Sequence, residues 1–370
     1  MTKTLRLSLL MVGFASLAVG CQPGEQPQEP ATALASHEAA LSGTWLSGAP
    51  MSIPRERNSV TLLSSGEVLV SGGAGFSSVL GSAEVYNPYS NTWSPTGALN
   101  TPRYHHRATP LASGKVLVTG GMNDYRAPFL TSAEVYDPAT GTWRFTSNSM
   151  GARRAEHTAT RLPSGKVLVA GGASAYYLGT SHNSAELYDP ETDTWSATGR
   201  MNHSRQHHTA TLLSSGKVMV VGGIGATNTA ELYDPATGTW SLVATPLQSH
   251  SGRHAVAELY SGLVLVAGDG VAELYNPSTN TWTEAPPCPV DEGDILNATR
   301  LYSGRVLVTG MGTQSAALYD PVTNTWLPTA QLPQPFASHE AVMLHSGEVL
   351  IAGGQTWTGG PTPAVVRFNP

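Results

Sequence analysis

Val116-Leu117-Val118-Thr119-Gly120-Gly121, followed by Tyr136-Asp137-Pro138-Ala139-Thr140-Gly141-Thr142-Trp143, is one copy of a pattern that recurs along this chain. An apolar run ends in Gly-Gly (Gly268-Asp269 and Gly310-Met311 in the fifth and sixth copies), a Tyr-Asp/Asn-Pro follows, and a Trp stands seven residues after the Tyr. The apolar runs begin at Val68, Val116, Val167, Val218, Val264, Val306 and Val349. The aromatic pairs are Tyr86 and Trp93, Tyr136 and Trp143, Tyr188 and Trp195, Tyr233 and Trp240, Tyr275 and Trp282, and Tyr319 and Trp326. Phe368 takes the Tyr position of the last copy and has no Trp after it. The missing partner stands at the other end, as Trp45 in Ser42-Gly43-Thr44-Trp45.

Short runs of Val, Leu and Ile are too brief and too β-prone for buried helices, so they predict strands covered on both faces. Each is strand b of its repeat. A glycine just upstream (Gly66, Gly114, Gly165, Gly216, Gly262, Gly304, Gly347) supplies the positive φ of a tight hairpin from strand a. Downstream, Asp137-Pro138-Ala139-Thr140-Gly141 and its relatives predict a second tight turn, with Gly, Asn or Asp left-handed before the Thr-Trp. That turn joins strand c, carrying the Tyr, to strand d, carrying the Trp.

Diglycine followed by a spaced Tyr and Trp resembles the kelch repeat, and the spacing of about 42 to 52 residues fits the kelch period of roughly 50. The resemblance implies an all-β fold, a seven-bladed β-propeller with one four-stranded blade per repeat. The last blade would be closed by an N-terminal strand around Trp45 beside Val365 to Phe368, leaving no open sheet edge. It names no activity, because propellers host enzymes and binding modules alike.

The chain carries a formal net charge of -6 with 12% charged residues, which gives no basic footprint for nucleic acid. Its first 20 residues have the parts of an export signal: Lys3 and Arg6, an apolar stretch from Leu7 to Val19, and a small-residue exit at Gly20. Leu17-Ala18-Val19-Gly20-Cys21 looks like a bacterial lipobox, with Ala18 where Leu is usual, and an ordinary signal peptidase would also accept Ala18-Val19-Gly20. The expected organisation is therefore a signal peptide (1–20), a Gln/Pro/Glu/Ala-rich flexible tether after Cys21 (21–41) and a propeller (42–370). An exported monomer results, held at a bacterial cell envelope by a lipid on Cys21 or else secreted. Cys288 lacks a disulfide partner and is expected to be a half-buried loop residue.

In an antiparallel four-stranded blade the b–c loops and d–a connections share one face. The b–c loops are long in repeats 1, 2, 3 and 7 and short in 4, 5 and 6, so the long ones form one arc around the ring. That arc carries Phe76, Tyr125, Arg126, Phe129, Tyr176, Tyr177, His182 and Trp357, side chains suited to stacking on sugars or anchoring a protein. The alternative is that these rings pack on one another to hold the loops down.

Eight residues before five of the turn glycines stand His106, His157, His208, His254 and His339, expected as a ring at the channel rim on the same face. Symmetry spreads such positions too widely for one metal, so repeated structural hydrogen bonding is expected and no metal. Three residues earlier, Arg55, Arg103, Arg154 and Arg205 match Glu84, Glu134, Glu186 and Glu231 two residues before each Tyr, which suggests buried ion pairs rather than an anion-binding cluster. Glu273, opposite Ser251, lacks the arginine.

Galactose oxidase is a kelch propeller whose copper site needs a cross-linked Tyr-Cys, for which Cys288 is the only thiol available in the propeller. Asp-Pro-x-Thr-Gly-Thr-Trp departs by one position from the sialidase Asp-box, and no nucleophile elbow, phosphate loop or His-Glu-x-x-His occurs. The expectation is a binding or interaction module without cofactor, taking a glycan or protein on the long-loop face. A carbohydrate-active or galactose-oxidase-like enzyme on that face is the alternative.

Overall fold

The computed structural model describes residues 42–124, 129–175, 181–252, 254–268, 270–290, 297–310, 312–356 and 359–370. Seven antiparallel sheets of four strands each make up the described chain, with no helix among those residues. Blade 1 consists of strands a (Ser59–Leu62), b (Val68–Ser71), c (Ala83–Asn87) and d (Thr92–Thr96). The next five blades repeat this order over 107–145, 158–197, 209–242, 254–284 and 297–328. Blade 7 adds Thr44–Ser47 to Glu340–Met343, Val349–Ala352 and Val365–Asn369, with Trp45 opposite Phe368 in the ladder. The seven a strands touch their neighbours in a closed circle, Ser59–Leu62 meeting Glu340–Met343. The fold is the all-β seven-bladed propeller that the repeat implied.

Each b strand is wholly buried, because neighbouring blades cover both its faces. Val116 and Val118 of blade 2, for instance, pack with Leu69 and Ala83 of blade 1 and with Tyr136 and Trp143. The Trp of each blade also latches backward by a hydrogen bond. Trp143 Nε1 donates to Gly97 O at 2.7 Å, Trp326 Nε1 to Pro286 O at 2.8 Å, and Trp45 Nε1, from the split blade, to Ala330 O at 2.9 Å. In the c–d turns Asn91, Asp193, Asn280 and Asn324 are left-handed, and each accepts the hydroxyl of its own blade's Tyr. Gly141 and Gly238 take that turn position in blades 2 and 4, where Tyr136 and Tyr233 instead meet Thr96 and Thr198 of the preceding blade at 2.7 Å.

Diglycine is required because it is pressed between two successive blades. Gly72 and Gly73 have φ of 63° and 98°. A Cβ on Gly72 would stand 2.8 Å from His106 Cε1 of blade 2, and one on Gly73 would stand 2.9 Å from Asn58 Cβ of its own blade. The same clash recurs at Gly171 with His208 and at Gly172 with His157.

Candidate functional site

The repeated Arg and Glu form ion pairs inside their blades. Arg55, Arg103, Arg154 and Arg205 are fully buried and reach Glu84, Glu134, Glu186 and Glu231 at 2.7 to 2.9 Å. Each Arg Nη1 also donates to the carbonyl of the first glycine of the pair, Gly72, Gly120, Gly171 or Gly222. The carboxylates accept backbone amides of the d–a connection, such as Asn100 and Thr101 on Glu134. The charged ends are thereby paired within the scaffold, which is how a buried charge is kept satisfied, with Arg55 Nε and Arg205 Nε left without a partner among the described residues. In blade 5 His250, one residue upstream of Ser251, replaces the arginine and meets Glu273 Oε1 at 2.8 Å.

His106, His157, His208, His254 and His339 are buried between blades. Each Nε2 lies 2.8 to 3.1 Å from a hydroxyl of the preceding blade: Ser59, Thr119, Thr158, Thr209 and Thr309 respectively. Where strand a begins with Arg107 or Asn297, its ladder partner at the end of strand b is Thr119 or Thr309, so the hydroxyl is supplied from one strand or the other. Burial lowers these imidazoles, His254 to about 3 and His339 to about 4, and the other three well below the ordinary histidine range. They are neutral hydrogen-bonding struts.

The residues before His106, His157, His208 and His339, and before Asn58 at the equivalent place in blade 1, are different in kind. Arg57, His105, Glu156, His207 and Ser338 have φ between 51° and 57°, a region that favours glycine, yet none is glycine. The conformation turns each amide toward the neighbouring blade. Arg57 N–H donates to Ser338 O, His105 to Arg57, Glu156 to His105 and His207 to Glu156, at 3.1 to 3.3 Å. This lacing runs through blades 7, 1, 2, 3 and 4 and leaves five side chains at the mouth of the channel.

These side chains line a cavity of about 360 Å³ that continues down between the a strands, past Thr158, Thr209 and Asn297. Glu156 Oε2 accepts from His207 Nε2 at 2.7 Å, and its Oε1 lies 3.8 Å from His105 Nδ1. Burial alone would raise the Glu156 carboxyl, but the His207 hydrogen bond and the charges of His207, His105 and Arg57 hold it below its ordinary value. His105 is lowered to about 3, first by burial and then by Arg57, His207 and Arg107 against the pull of Glu156. Deeper in, Arg107 Nη1 pairs with Glu340 Oε1 at 3.0 Å, joining blade 2 to blade 7, and burial raises the Glu340 carboxyl. Among the described residues no group of three or more His, Cys, Asp or Glu is arranged to hold a metal ion.

Of the loop residues singled out in the sequence, Phe76 is exposed and His182 is half-buried, its Nε2 3.0 Å from Arg153 O. Phe129 is not an exposed ring. It is buried with Tyr104, Met122 and Ala173, packed on side chains of the bridges Tyr104–Met122 and Ala155–Ala173. Tyr125, Arg126, Tyr176, Tyr177 and Trp357 lie outside the described residues, as does Cys21. Cys288 is buried in the cluster between blades 5 and 6, deeper than a half-buried loop residue, and burial pushes its thiol up to about 11. It does not line the channel cavity. That position does not fit a thioether partner at a copper centre on the channel.

Exposed rings also occupy the opposite face. Tyr260 and Tyr302 head the a–b turns of blades 5 and 6 and lie over Gly304 and Gly347 of the following blades, with Arg300 4.5 Å over the Tyr260 ring. The sequence signal was present there, since Ser64, Ala112, Pro163 and Ser214 hold the equivalent place in blades 1 to 4 and His345 in blade 7. The channel-mouth set was harder to see, because its residue types differ from blade to blade.

No curated protein matches the chain. A solved structure described as a novel fungal alcohol oxidase with catalytic diversity among the AA5 family, in complex with copper, is 16% identical, with a TM-score of 0.70 over 89% of this chain and 76% of that one. At that identity the likeness is one of fold. The family model for the Kelch motif matches residues 103–150, 157–202 and 207–247, which are blades 2, 3 and 4 with their connections. Blades 1 and 7 share the diglycine, blades 5 and 6 keep its first glycine, and the Tyr (Phe368 in blade 7) and Trp recur in all four, so the chain is a kelch-repeat β-propeller.

Proposed function

We propose that this propeller is a non-enzymatic binding module whose ligand, a glycan or a protein, is taken on the face of the b–c loops and d–a connections over blades 7, 1, 2 and 3. The observation that carries the reading is the mouth of the channel. Arg57, His105, Glu156 and Ser338 hold strained backbone positions where glycine would be relaxed, and they line a concave polar cavity. Phe76 stands exposed on the long loop of blade 1. The site offers hydrogen-bonding and charged groups without an activated nucleophile. Export and a lipid anchor at Cys21 belong to the same proposal and rest on Lys3, Arg6, the Leu7 to Val19 stretch and the lipobox-like 17–21.

An oxidase or carbohydrate-active enzyme on the same face is the second reading, and it draws on the fold shared with the copper alcohol oxidase. Metal analysis of the purified protein separates the two. Stoichiometric copper with a radical absorbance overturns the binding reading. A glycan array and a partner pull-down, repeated with Phe76→Ala and Glu156→Gln, test it directly, and binding unchanged in both variants refutes it.

A further inference from the structure

We infer that the channel mouth takes an acidic sugar, a uronate whose carboxylate sits on Arg57 and whose hydroxyls reach Glu156 and His105. This rests on the binding-module reading above and names the ligand class for that face.

Arg57 carries the first part of the argument. Its Nε lies 3.8 Å from Glu56 Oε2, too long for a hydrogen bond, and its two terminal nitrogens make none among the described residues. The guanidinium is one-third exposed, at the edge of the cavity. At its four buried counterparts, Arg55, Arg103, Arg154 and Arg205, both terminal nitrogens donate to carbonyls or carboxylates. Arg57 is thus a planar fork held ready at a polar cavity, and the group that matches such a fork in two parallel bonds is a carboxylate.

Beside it Glu156 is committed on one oxygen only. His207 holds Oε2, while Oε1 is beyond hydrogen-bonding distance of His105 and free to accept. His105, neutral at neutral pH, makes no ring hydrogen bond among the described residues. The pair therefore offers an acceptor and an imidazole within one small space, the complement of vicinal hydroxyls. A uronate ring carries its carboxylate and hydroxyls on neighbouring carbons, so one rigid ligand satisfies all three groups. The cavity, about 360 Å³, is in the range of small-ligand sites, roughly 300 to 1,000 Å³. Its walls mix hydroxyls, the Asn58 and Asn297 amides, imidazoles, alanines, Val256 and the Arg107–Glu340 ion pair, with neither the open strand edge nor the apolar groove that peptides use.

The test is calorimetric titration of the purified full chain with trigalacturonate, with its neutral methyl ester, and with an aspartate-rich peptide. Trigalacturonate is expected to bind, and esterification or Arg57→Ala to weaken it by roughly ten- to a hundredfold, the worth of a charge-assisted pair. Glu156→Gln is expected to weaken it as well, and Arg57→Lys to restore part of the loss. Thermal melting of each variant at the wild-type temperature excludes misfolding. Equal affinity for the acid and its ester overturns the carboxylate assignment while leaving a glycan ligand on this face. Tighter binding of the peptide overturns it in favour of a protein partner. No binding of any probe, or binding untouched by Arg57→Ala, overturns it outright, and the array and pull-down then decide the broader reading separately.

Discussion

His250 Nε2 lies 2.8 Å from Glu273 Oε1, in the place that four other blades give to an arginine. Both side chains are fully buried, and Glu273 also accepts the amides of Leu247 and Gln248. Removing the imidazole leaves a buried carboxylate without its side-chain partner, which costs about 3 to 5 kcal/mol. Urea unfolding of His250→Ala should show that loss, and a loss under about 1 kcal/mol would mean the backbone amides alone satisfy Glu273.

The interblade histidines set a pH dependence. Each is neutral when folded and takes up a proton on unfolding below its ordinary value near 6.5, so the unfolded state binds more protons in that window and stability falls with acidification. For His339 the window runs from about 6.5 down to about 4, with a slope approaching 1.4 kcal/mol per pH unit inside it. Unfolding free energies between pH 7 and pH 4.5 should fall, and His339→Gln should flatten the curve. A profile equally steep in that variant would remove His339 from the account.

Trp143 combines core filling with a latch to Gly97 O. Trp143→Ala should cost about 3 to 5 kcal/mol as core loss. Trp143→Phe, which keeps a ring and loses the Nε1 bond, should cost distinctly less. Equal costs would show that the latch, and not the packing, dominates.

Ring closure depends on Thr44–Ser47. Without it the strand Val365–Asn369 has an open edge, and Phe368 loses the Trp45 ring, whose centroid is 5.0 Å away. A chain lacking residues 42–50 should melt well below the intact one, and coincident melting would refute the closure.

How much of this was legible in the sequence depended on repetition. The apolar run with its glycines, the Tyr and Trp at constant separation, and the Arg and Glu partners recur in order from repeat to repeat, and the last repeat is visibly split between the two ends, so their physical demands could be inferred before the fold. His250 escaped because the substitution shifts its partner by one position as well as changing its type. Arg57, His105, Glu156 and His207 escaped for the opposite reason: the backbone demand there is uniform and satisfied by main-chain lacing, while the side chains vary freely. Loop length could not decide whether Phe129 faces a ligand or packs down, and the structure buries it.

The central claim is that the ligand surface is the channel-mouth face and not the opposite rim. One glycan array probed with the wild-type chain, with the Arg57→Ala, Glu156→Gln double variant and with Tyr302→Ala tests it most directly. The account predicts that the wild type's strongest signals disappear in the double variant and persist in Tyr302→Ala. Signals that persist in the double variant and vanish with Tyr302→Ala would contradict it.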